Sequence, residues 1–158
     1  MTIRPFAEAD RGILKKITAV CYDGVSIDQN IEKLFGLLAG KGWTYRKQRQ
    51  LEEDISAHPD GIFIAEIDNS VVGYISTRVD HETNIGRIMN FAVLPAQQKK
   101  GIGKVLMDRA MTHLKSEGME YVRIETLEQN AAGRHFYPRL GFREVARQIH
   151  YIRRTDST

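Results

Sequence analysis

Two glycines and three lysines lie immediately before a helical pattern in the stretch QQKKGIGKVLMDRAM, residues 97–111. The first turn of any helix has amide hydrogens without intrahelical partners, and the helix dipole favours an anion there. The glycines keep side chains away from those amides, and Lys99, Lys100 and Lys104 surround them with positive charge. The stretch therefore predicts a phosphate-binding turn, with an ordinary structural loop as the alternative.

Two common phosphate-binding motifs do not fit this stretch. The dinucleotide fingerprint Gly-x-Gly-x-x-Gly requires a third glycine where the chain has Leu106. The P-loop requires glycine, four residues, and then Gly-Lys-Ser/Thr, of which only Gly103 and Lys104 are present. The sequence therefore excludes both of these nucleotide-binding loops.

A third pattern fits at every position. QKKGIG, residues 98–103, matches Gln/Arg-x-x-Gly-x-Gly/Ala, and so resembles the pyrophosphate loop of the GNAT superfamily of acetyl-CoA-dependent N-acetyltransferases. NFAVLP, residues 90–95, resembles the preceding strand of that family, and NAAGRHFYPRLGF, residues 130–142, resembles its second motif. The matched region looks most like the ribosomal-protein N-terminal acetyltransferases. The segment before Ile62 carries no matching motif.

The resemblance implies a binding site for acetyl-CoA as co-substrate. Its diphosphate would lie on the glycine turn, and its pantetheine arm would pair with the backbone of a strand, where a bulge aims an amide at the acetyl carbonyl. A plain core strand is a compatible alternative, because side chains can be buried while the backbone binds. The residues that the resemblance assigns to the cofactor are Phe91, Ala92, Val93, Gln98, Lys99, Lys100, Gly101, Ile102, Gly103, Lys104, Asn130 and Tyr137.

The resemblance also implies direct transfer of the acetyl group from the thioester to an amine. Tyr137 would then protonate the leaving thiolate, and Glu125, twelve positions earlier, would accept the proton of the amine. We expect burial beside apolar walls to raise the pKa of Glu125 towards a useful range. The alternative is that Glu125 makes a structural ion pair with Arg123 or Arg87.

Other polar residues have simpler interpretations. His81 and Glu82 are fallback candidates for the base, whereas His113 is interpreted as a packing residue and Cys21 as an inert core thiol. Asn130 could serve only as the N-cap of the next helix. A basic run is interpreted as a solvated helix face; it consists of Arg46, Lys47 and Arg49.

The periodicity of apolar residues predicts the elements that position these side chains. The predicted order is one strand, three helices, three strands, a helix over 101–117, a strand over 121–127, a helix over 131–140, and a last strand over 142–154. Asp10 and Asp28 are predicted N-caps of the first two helices. The expected fold is α/β of the GNAT type: a mixed, mostly antiparallel sheet with helices on both faces and a splayed parallel strand pair that binds coenzyme A.

The composition limits the classes of protein and partner. The length of 158 residues suits a single domain over 1–158, and the net charge is only +3. A single cysteine excludes an intrachain disulfide and a cysteine metal cluster, and we expect no metal. The first residues lack the apolar stretch of a signal peptide, and no segment has the length of a membrane helix, so we expect a cytoplasmic protein without a membrane partner. Neither a helix-turn-helix spacing nor an RNA-binding motif is present, so nucleic acid is not an expected partner.

These observations predict an enzyme that moves the acetyl group of acetyl-CoA to a primary amine of a small molecule or peptide. A non-catalytic acyl-CoA-binding or sensing domain on the same fold is the alternative. The identity of the acceptor stays open, because the N-terminal half that would shape its site matches no motif. The alternating apolar residues of the last predicted strand suggest a homodimer, although an edge can also be covered within one chain.

Overall fold

A five-stranded sheet forms the centre of the computed structural model, which describes residues 1–156. The strands lie in chain order, and every neighbouring pair is antiparallel except the last, which is parallel. The prediction of a mixed, mostly antiparallel sheet is therefore confirmed. The strands are β1 (Thr2–Pro5), β2 (Ile62–Ile67), β3 (Ser70–Arg78), β4 (Ile85–Val93) and β5 (Tyr121–Ile124).

Helices cover both faces of the sheet. On one face, α1 (Arg11–Cys21) and α3 (Trp43–Ala57) bury a core against β2, β3 and β4, and α2 (Ile27–Phe35) packs on α3. On the other face, α4 (Ile102–Ser116) buries its apolar stripe against the sheet, and α5 (Ala131–Arg139) packs beside it. None of the helices within residues 1–156 combines the length and apolarity that crossing a lipid bilayer requires.

The two parallel strands separate halfway along β4. The pairing of β4 with β5 runs from Ile85 opposite Tyr121 to Ile88 opposite Ile124. Because β5 ends there while β4 continues to Val93, the last part of β4 has no β5 partner within the described residues. This opening is the splayed strand pair that the resemblance predicted.

A bulge in β4 lies beside the opening. Ile75 of β3 is opposite Phe91, whereas Thr77 is opposite Ile88, so Ser76 faces two β4 residues, Met89 and Asn90. A bulge bends the strand and re-aims its backbone groups. The predicted bulge is therefore present, directly before the backbone assigned to the pantetheine arm.

The predicted last strand is wrong for the single chain. Residues 142–154, all of them described, contain no strand, and Val145, Ile149 and Tyr151 are 96%, 78% and 89% exposed. A strand needs a hydrogen-bonded neighbour, which an alternating sequence does not itself supply. The free edge of β5 remains unpaired within the described chain.

Neither predicted N-cap caps its helix through its side chain, because both carboxylates bind arginines; Asp10 occupies the N-cap position of α1, whereas Asp28 lies within α2. Asp10 accepts two hydrogen bonds of 2.7 Å from Arg4, and Asp28 accepts one of 3.3 Å from Arg46. Neither α1 nor α2 has a side-chain cap within the described residues. Charge-assisted bonds to partners brought close by folding replace the local caps.

Candidate functional site

The turn before α4 has the geometry of an anion site. Gly101 adopts the left-handed conformation with a φ of +83°, and α4 begins at the next residue without a side-chain cap from the described residues. An added Cβ at Gly101 would meet nothing within 4 Å. The space beside Gly101, next to the uncapped first turn of α4, is therefore open to an approaching phosphate.

Gly103 serves packing as well as access. An added Cβ there would lie 3.2 Å from the ring of Phe91 and 3.4 Å from the ring of Phe136. The absent side chain lets α4 approach β4 and α5 closely. Ile102 is only 2% exposed, so it can offer a ligand its backbone but not its side chain.

The polar side chains of the turn are distributed around its mouth. Gln98 donates a hydrogen bond to the Val93 carbonyl (3.0 Å), which fastens the turn to the end of β4. Lys104 pairs with Asp108 at 2.6 Å, and Lys100 donates to Gln97 at 3.0 Å. Lys99 is exposed and has a φ of +62°. The three lysines and the uncapped first turn of α4 thus lie at the same end of that helix.

The open backbone of β4 is held by a tyrosine that the sequence motifs did not reveal. The Phe91 amide donates to the Tyr22 hydroxyl oxygen at 3.1 Å, and that hydroxyl lies 3.5 Å from the Phe91 carbonyl. Cys21 donates from its thiol to the Val93 carbonyl at 3.4 Å. Burial raises the pKa of Cys21 to about 11, so its thiol stays protonated at neutral pH, which supports its interpretation as inert. Ala92 and Val93 have buried side chains, so only their backbone is available to a ligand.

Tyr137 lies on α5, on the opposite face of the sheet from α1. Its ring packs against Phe136 and Phe142, with centroid distances of 5.6 Å and 6.0 Å. Burial raises the pKa of Tyr137 to about 12. The pKa of Tyr22 is also raised, chiefly by burial, with Tyr137 as one of the smaller causes. Both phenols therefore remain protonated at neutral pH.

Asn130 is the N-cap of α5. Its side-chain oxygen accepts a hydrogen bond from the Gly133 amide at 3.1 Å, and its amide donates to Thr126 at 2.8 Å. The capping interpretation is confirmed. The neighbouring Gln129 donates to the Gly24 carbonyl at 2.7 Å and accepts from Asn30 at 2.8 Å. This residue therefore links the loop after β5 to the start of α2.

The expected burial of Glu125 is wrong. Its side chain is 58% exposed and lies where β4 and β5 begin to separate. Arg87 donates to both carboxylate oxygens at 3.0 Å and 3.2 Å, and Arg123 donates to one of them at 2.9 Å. Glu125 therefore forms the ion pair that was the alternative interpretation, and it does so with both arginines. The parallel register makes this possible because it places Arg87 beside Arg123.

The fallback bases do not reach the opening. His81 and Glu82 are exposed in the turn between β3 and β4, before the first residue of β4, at the opposite end of that strand from Phe91. His113 lies on α4 and hydrogen-bonds to His58, with 3.0 Å between their Nε2 atoms. Burial first, and His58 second, lower the pKa of His113, consistent with a packing role. Within residues 1–156 no group of three or more His, Cys, Asp or Glu side chains could hold a metal ion.

A buried polar network fastens α3 to the β4 bulge. Asp54 accepts hydrogen bonds of 2.6 Å from both Ser76 and the Asn90 amide group. Lys47 donates to the Asn90 side-chain oxygen at 2.8 Å and lies 3.9 Å from the centre of the Tyr22 ring. The network joins the bulge to the tyrosine that holds the Phe91 amide.

Lys47 contradicts the interpretation of the basic run as a solvated face. Its side chain is buried, and burial lowers its pKa to about 8. A signal was available in the sequence, because Lys47, Leu51, Asp54 and Ile55 fall on one helical face and all four are buried. Lys47 was assigned to the solvated face because it is charged, although its spacing places it on the buried face.

Lys47 should make the stability of the protein depend on pH. Its folded pKa of about 8 lies below the model-peptide value of 10.5, so the unfolded chain binds more protons between these values. The cost of burying the charge is fully present below pH 8 and disappears as pH rises towards 10.5. Between about pH 7 and 9.5, the free energy of unfolding should therefore rise by about 2 kcal/mol relative to Lys47→Met. Urea denaturation measures it.

The control for that measurement is Lys16→Met, an exposed lysine of α1. The difference between this variant and the parent protein should stay constant over the same pH range. If the Lys47→Met variant and the parent protein show parallel pH dependence, Lys47 does not carry a lowered pKa.

Comparison with known proteins identifies the family. The sequence model of the Acetyltransferase (GNAT) family matches residues 29–142, which is most of the chain and includes the turn, the opening and α5. The chain belongs to the GNAT acetyltransferase family. GNAT relatives include a mycothiol acetyltransferase from Streptomyces griseus subsp. griseus, 32% identical over 99 residues, which are 63% of this chain and 32% of that protein. This chain thus spans about a third of the length of that relative.

Solved GNAT structures share the fold along nearly the whole chain. PaiA N-acetyltransferase from Thermoplasma acidophilum, solved in complex with coenzyme A, has a TM-score of 0.72 at 22% identity and covers 90% of this chain and 89% of its own. The ribosomal-protein-S18-alanine N-acetyltransferase from Escherichia coli has a TM-score of 0.68 at 19% identity, covering 98% and 85%. At these identities the likeness is one of fold. One of these structures is a ribosomal-protein N-acetyltransferase, the group that the sequence motifs resemble.

Proposed function

We propose that this protein is an N-acetyltransferase that moves the acetyl group of acetyl-CoA to a primary amine. The observation that carries the proposal is the uncapped turn at Gly101 next to the last part of β4, which β5 does not pair. A diphosphate can bind the first amides of α4. A pantetheine arm can follow Phe91 to Val93 as an added strand if it replaces the side-chain hydrogen bonds that now hold this backbone, such as that of the Tyr22 hydroxyl to the Phe91 amide. A length of open strand backbone beside a helix N-terminus suits a ligand that has both an anionic and a peptide-like part.

The proposed reaction is a single transfer. The amine nitrogen attacks the thioester carbonyl, the carbon–sulfur bond breaks, and an amide and a thiol are formed. A free alkylamine titrates near about 10, so it arrives mostly protonated and must lose a proton to react. Glu125 accepts that proton, directly or through water. Tyr137 gives its proton to the leaving sulfur, and the second proton that the nitrogen loses as the amide forms returns to Tyr137. The acceptor is a small amine or a peptide amine, consistent with the mycothiol and ribosomal-protein enzymes among the similar proteins.

Acetyl-CoA binding and acetyl transfer test the proposal separately. Calorimetry should detect acetyl-CoA binding, and a panel of amines and peptides should give acceptor-dependent release of thiol. Binding without transfer to any acceptor would favour the alternative of a non-catalytic acyl-CoA-binding domain. Absence of binding would contradict both functions.

Glu125 should determine the acidic limb of the pH profile. A carboxylate accepts a proton only in its ionised form, so kcat/KM should fall towards acidic pH. In the Glu125→Gln variant that limb should disappear or shift, and the rate should fall about 10²-fold or more. The measurement is kcat/KM against pH with one amine acceptor.

The matched control for this experiment is Glu120→Gln, an exposed glutamate just before β5. It should keep both the rate and the profile of the parent protein. Full rate and an unchanged profile in Glu125→Gln would show that Glu125 is not the base and serves only as the partner of Arg87 and Arg123.

We also propose that two copies associate through residues 143–154. Val145, Ile149 and Tyr151 are exposed on this segment, and β5 leaves a free edge within the described chain. A groove beside that edge is lined by Met111, Met119 and Val122 among others. The segment of one copy could therefore pair with β5 of the other and cover its apolar side chains.

Light scattering tests the association. The protein should behave as a dimer at micromolar concentration, and a double variant, Val145→Asp with Ile149→Asp, should be monomeric. A single 18.0 kDa species for the unmodified chain across that range would contradict the proposal.

A further inference from the structure

Three arginines lie side by side across the sheet, on the face that carries α3. Arg78 of β3 is directly opposite Arg87 of β4, and Arg87 is directly opposite Arg123 of β5. Residues opposite each other on neighbouring strands point to the same side, with Cβ atoms about 5 Å apart. We call Arg78, Arg87 and Arg123 the arginine row.

The row has more positive than negative charge. Arg78 donates to Asp54 at 3.0 Å, while Arg87 and Arg123 share the single carboxylate of Glu125. Like charges directly opposite on a sheet cost stability, and three cations meet only two carboxylates here. The Nε of Arg78 is also buried without a hydrogen-bond partner within the described residues. Such an arrangement is costly for the free protein and is relieved by an anion.

The row lies next to the proposed reaction site. Arg87 precedes Phe91 by four residues on β4, or about 13 Å along an extended strand, and the intervening bulge and the long arginine side chain shorten the effective distance. Glu125, the proposed base, is held between Arg87 and Arg123. A groove of about 610 Å³ continues from Arg78 along α3, lined also by Tyr45, Arg49, Glu52, Glu53, Ser56 and Ala57. An acceptor whose amine lies at Glu125 is therefore within reach of Arg87 and Arg123.

We propose that the arginine row binds a carboxylate of the amine acceptor, so that the preferred acceptors carry an acidic group within about two residues' length of the reacting amine. This inference rests on the proposed function. Arginine binds carboxylates in two-pronged, charge-assisted pairs. The carboxylate of the acceptor replaces Glu125 on Arg87 and Arg123, and Glu125 becomes free to take the proton of the ammonium group. The row thereby joins recognition of the acceptor to activation of the base.

Paired acceptors test the preference. Each pair differs only in the acidic group: β-alanine against β-alaninamide for small molecules, and the tripeptide Ser-Asp-Phe against Ser-Asn-Phe for peptides, both tripeptides with an amidated C-terminus so that no other carboxylate is present. We expect kcat/KM to be at least about 10-fold higher for the acidic acceptor in at least one of the two comparisons. This ratio corresponds to the free energy of one charge-assisted hydrogen-bonded ion pair, which the neutral acceptor cannot form. If only one of the two comparisons shows the preference, that comparison identifies whether the recognised carboxylate belongs to a small molecule or to a peptide. Equal rates within both pairs would overturn the inference and leave the proposed function intact.

Variants assign the preference to the row. In Arg87→Gln and Arg123→Gln the preference should fall to within about 3-fold, because KM for the acidic acceptor rises while the affinity for acetyl-CoA stays unchanged. Lys16→Gln, which removes the same charge from an exposed position of α1, should retain the preference. Loss of preference in the lysine variant too would show a general charge effect and contradict a site at the row.

A binding experiment decides the inference even if no amine is acetylated. Inorganic phosphate is titrated into the protein while NMR follows the Nε–Hε signals of the arginines. The signals of the arginine row should shift and saturate together, and Arg123→Gln should weaken the binding at least about 5-fold. Linear, non-saturating shifts at the row would overturn the inference. Failure of the proposed function appears separately, as absence of acetyl-CoA binding.

Discussion

Replacement of Gly101 by aspartate should remove most of the affinity for acetyl-CoA. Gly101 has a φ of +83° and open space beyond its Cα, so a side chain there occupies the approach to the first amides of α4. The added carboxylate also repels the diphosphate. Loss of one hydrogen bond to a charged group costs about 1.5–3 kcal/mol, which corresponds to about a 10- to 100-fold weaker affinity. Calorimetry with acetyl-CoA measures it.

The opposite end of α4 supplies a matched control. Gly118 also has a φ of +83° and nothing within 4 Å of an added Cβ, so aspartate there meets the same backbone strain. Gly118→Asp should lose more stability than Gly101→Asp, because a carboxylate is unfavourable at the C-terminal end of a helix, yet it should bind acetyl-CoA normally. Gly103 is less suitable for this test, because a side chain would press against Phe91 and Phe136. Equal affinity in the Gly101 and Gly118 variants, both folded, would exclude the turn as the diphosphate site.

Replacement of Tyr137 by phenylalanine should lower kcat by about 10²- to 10⁴-fold, the usual contribution of a general acid. The substitution removes only the hydroxyl, so the packing against Phe136 and Phe142 remains. Because the pKa of Tyr137 is raised to about 12, its proton is in place throughout the neutral range. The affinity for acetyl-CoA should change by less than about 3-fold. Single-turnover kinetics separates the chemical step from binding.

Two controls identify the proton as the cause. Tyr121→Phe, at a tyrosine that is 73% exposed on β5, should keep the parental rate. Acetyl donors whose leaving thiol is more acidic should be less sensitive to Tyr137→Phe, because a better leaving group needs less protonation. A rate loss equal for all donors would indicate that Tyr137 acts by positioning, with Tyr22 as the next candidate to test.

The sequence by itself determined the family, the mixed sheet and the α4 turn. These depend on local properties: glycines that permit a left-handed turn, apolar residues at helical spacing, and a helix N-terminus whose amides need a partner. The same local chemistry correctly made Asn130 a cap. Turns, caps and amphipathic helices depend on residues that are close together in the sequence. The sequence pattern alone can therefore predict them.

Only the tertiary structure decided the partners of the charged residues. Glu125 was expected among apolar walls, but the parallel register places it between Arg87 and Arg123. Lys47 was expected in water, but α3 turns it towards Asn90 and Tyr22. The side chains of Asp10 and Asp28 were expected to cap helices. Instead, Asp10 accepts hydrogen bonds from Arg4 of β1, and Asp28 accepts one from Arg46 of α3. The free energy of an ion depends on burial and on charges within a few ångströms, and the contacts that decide both are made across the fold and not along the chain.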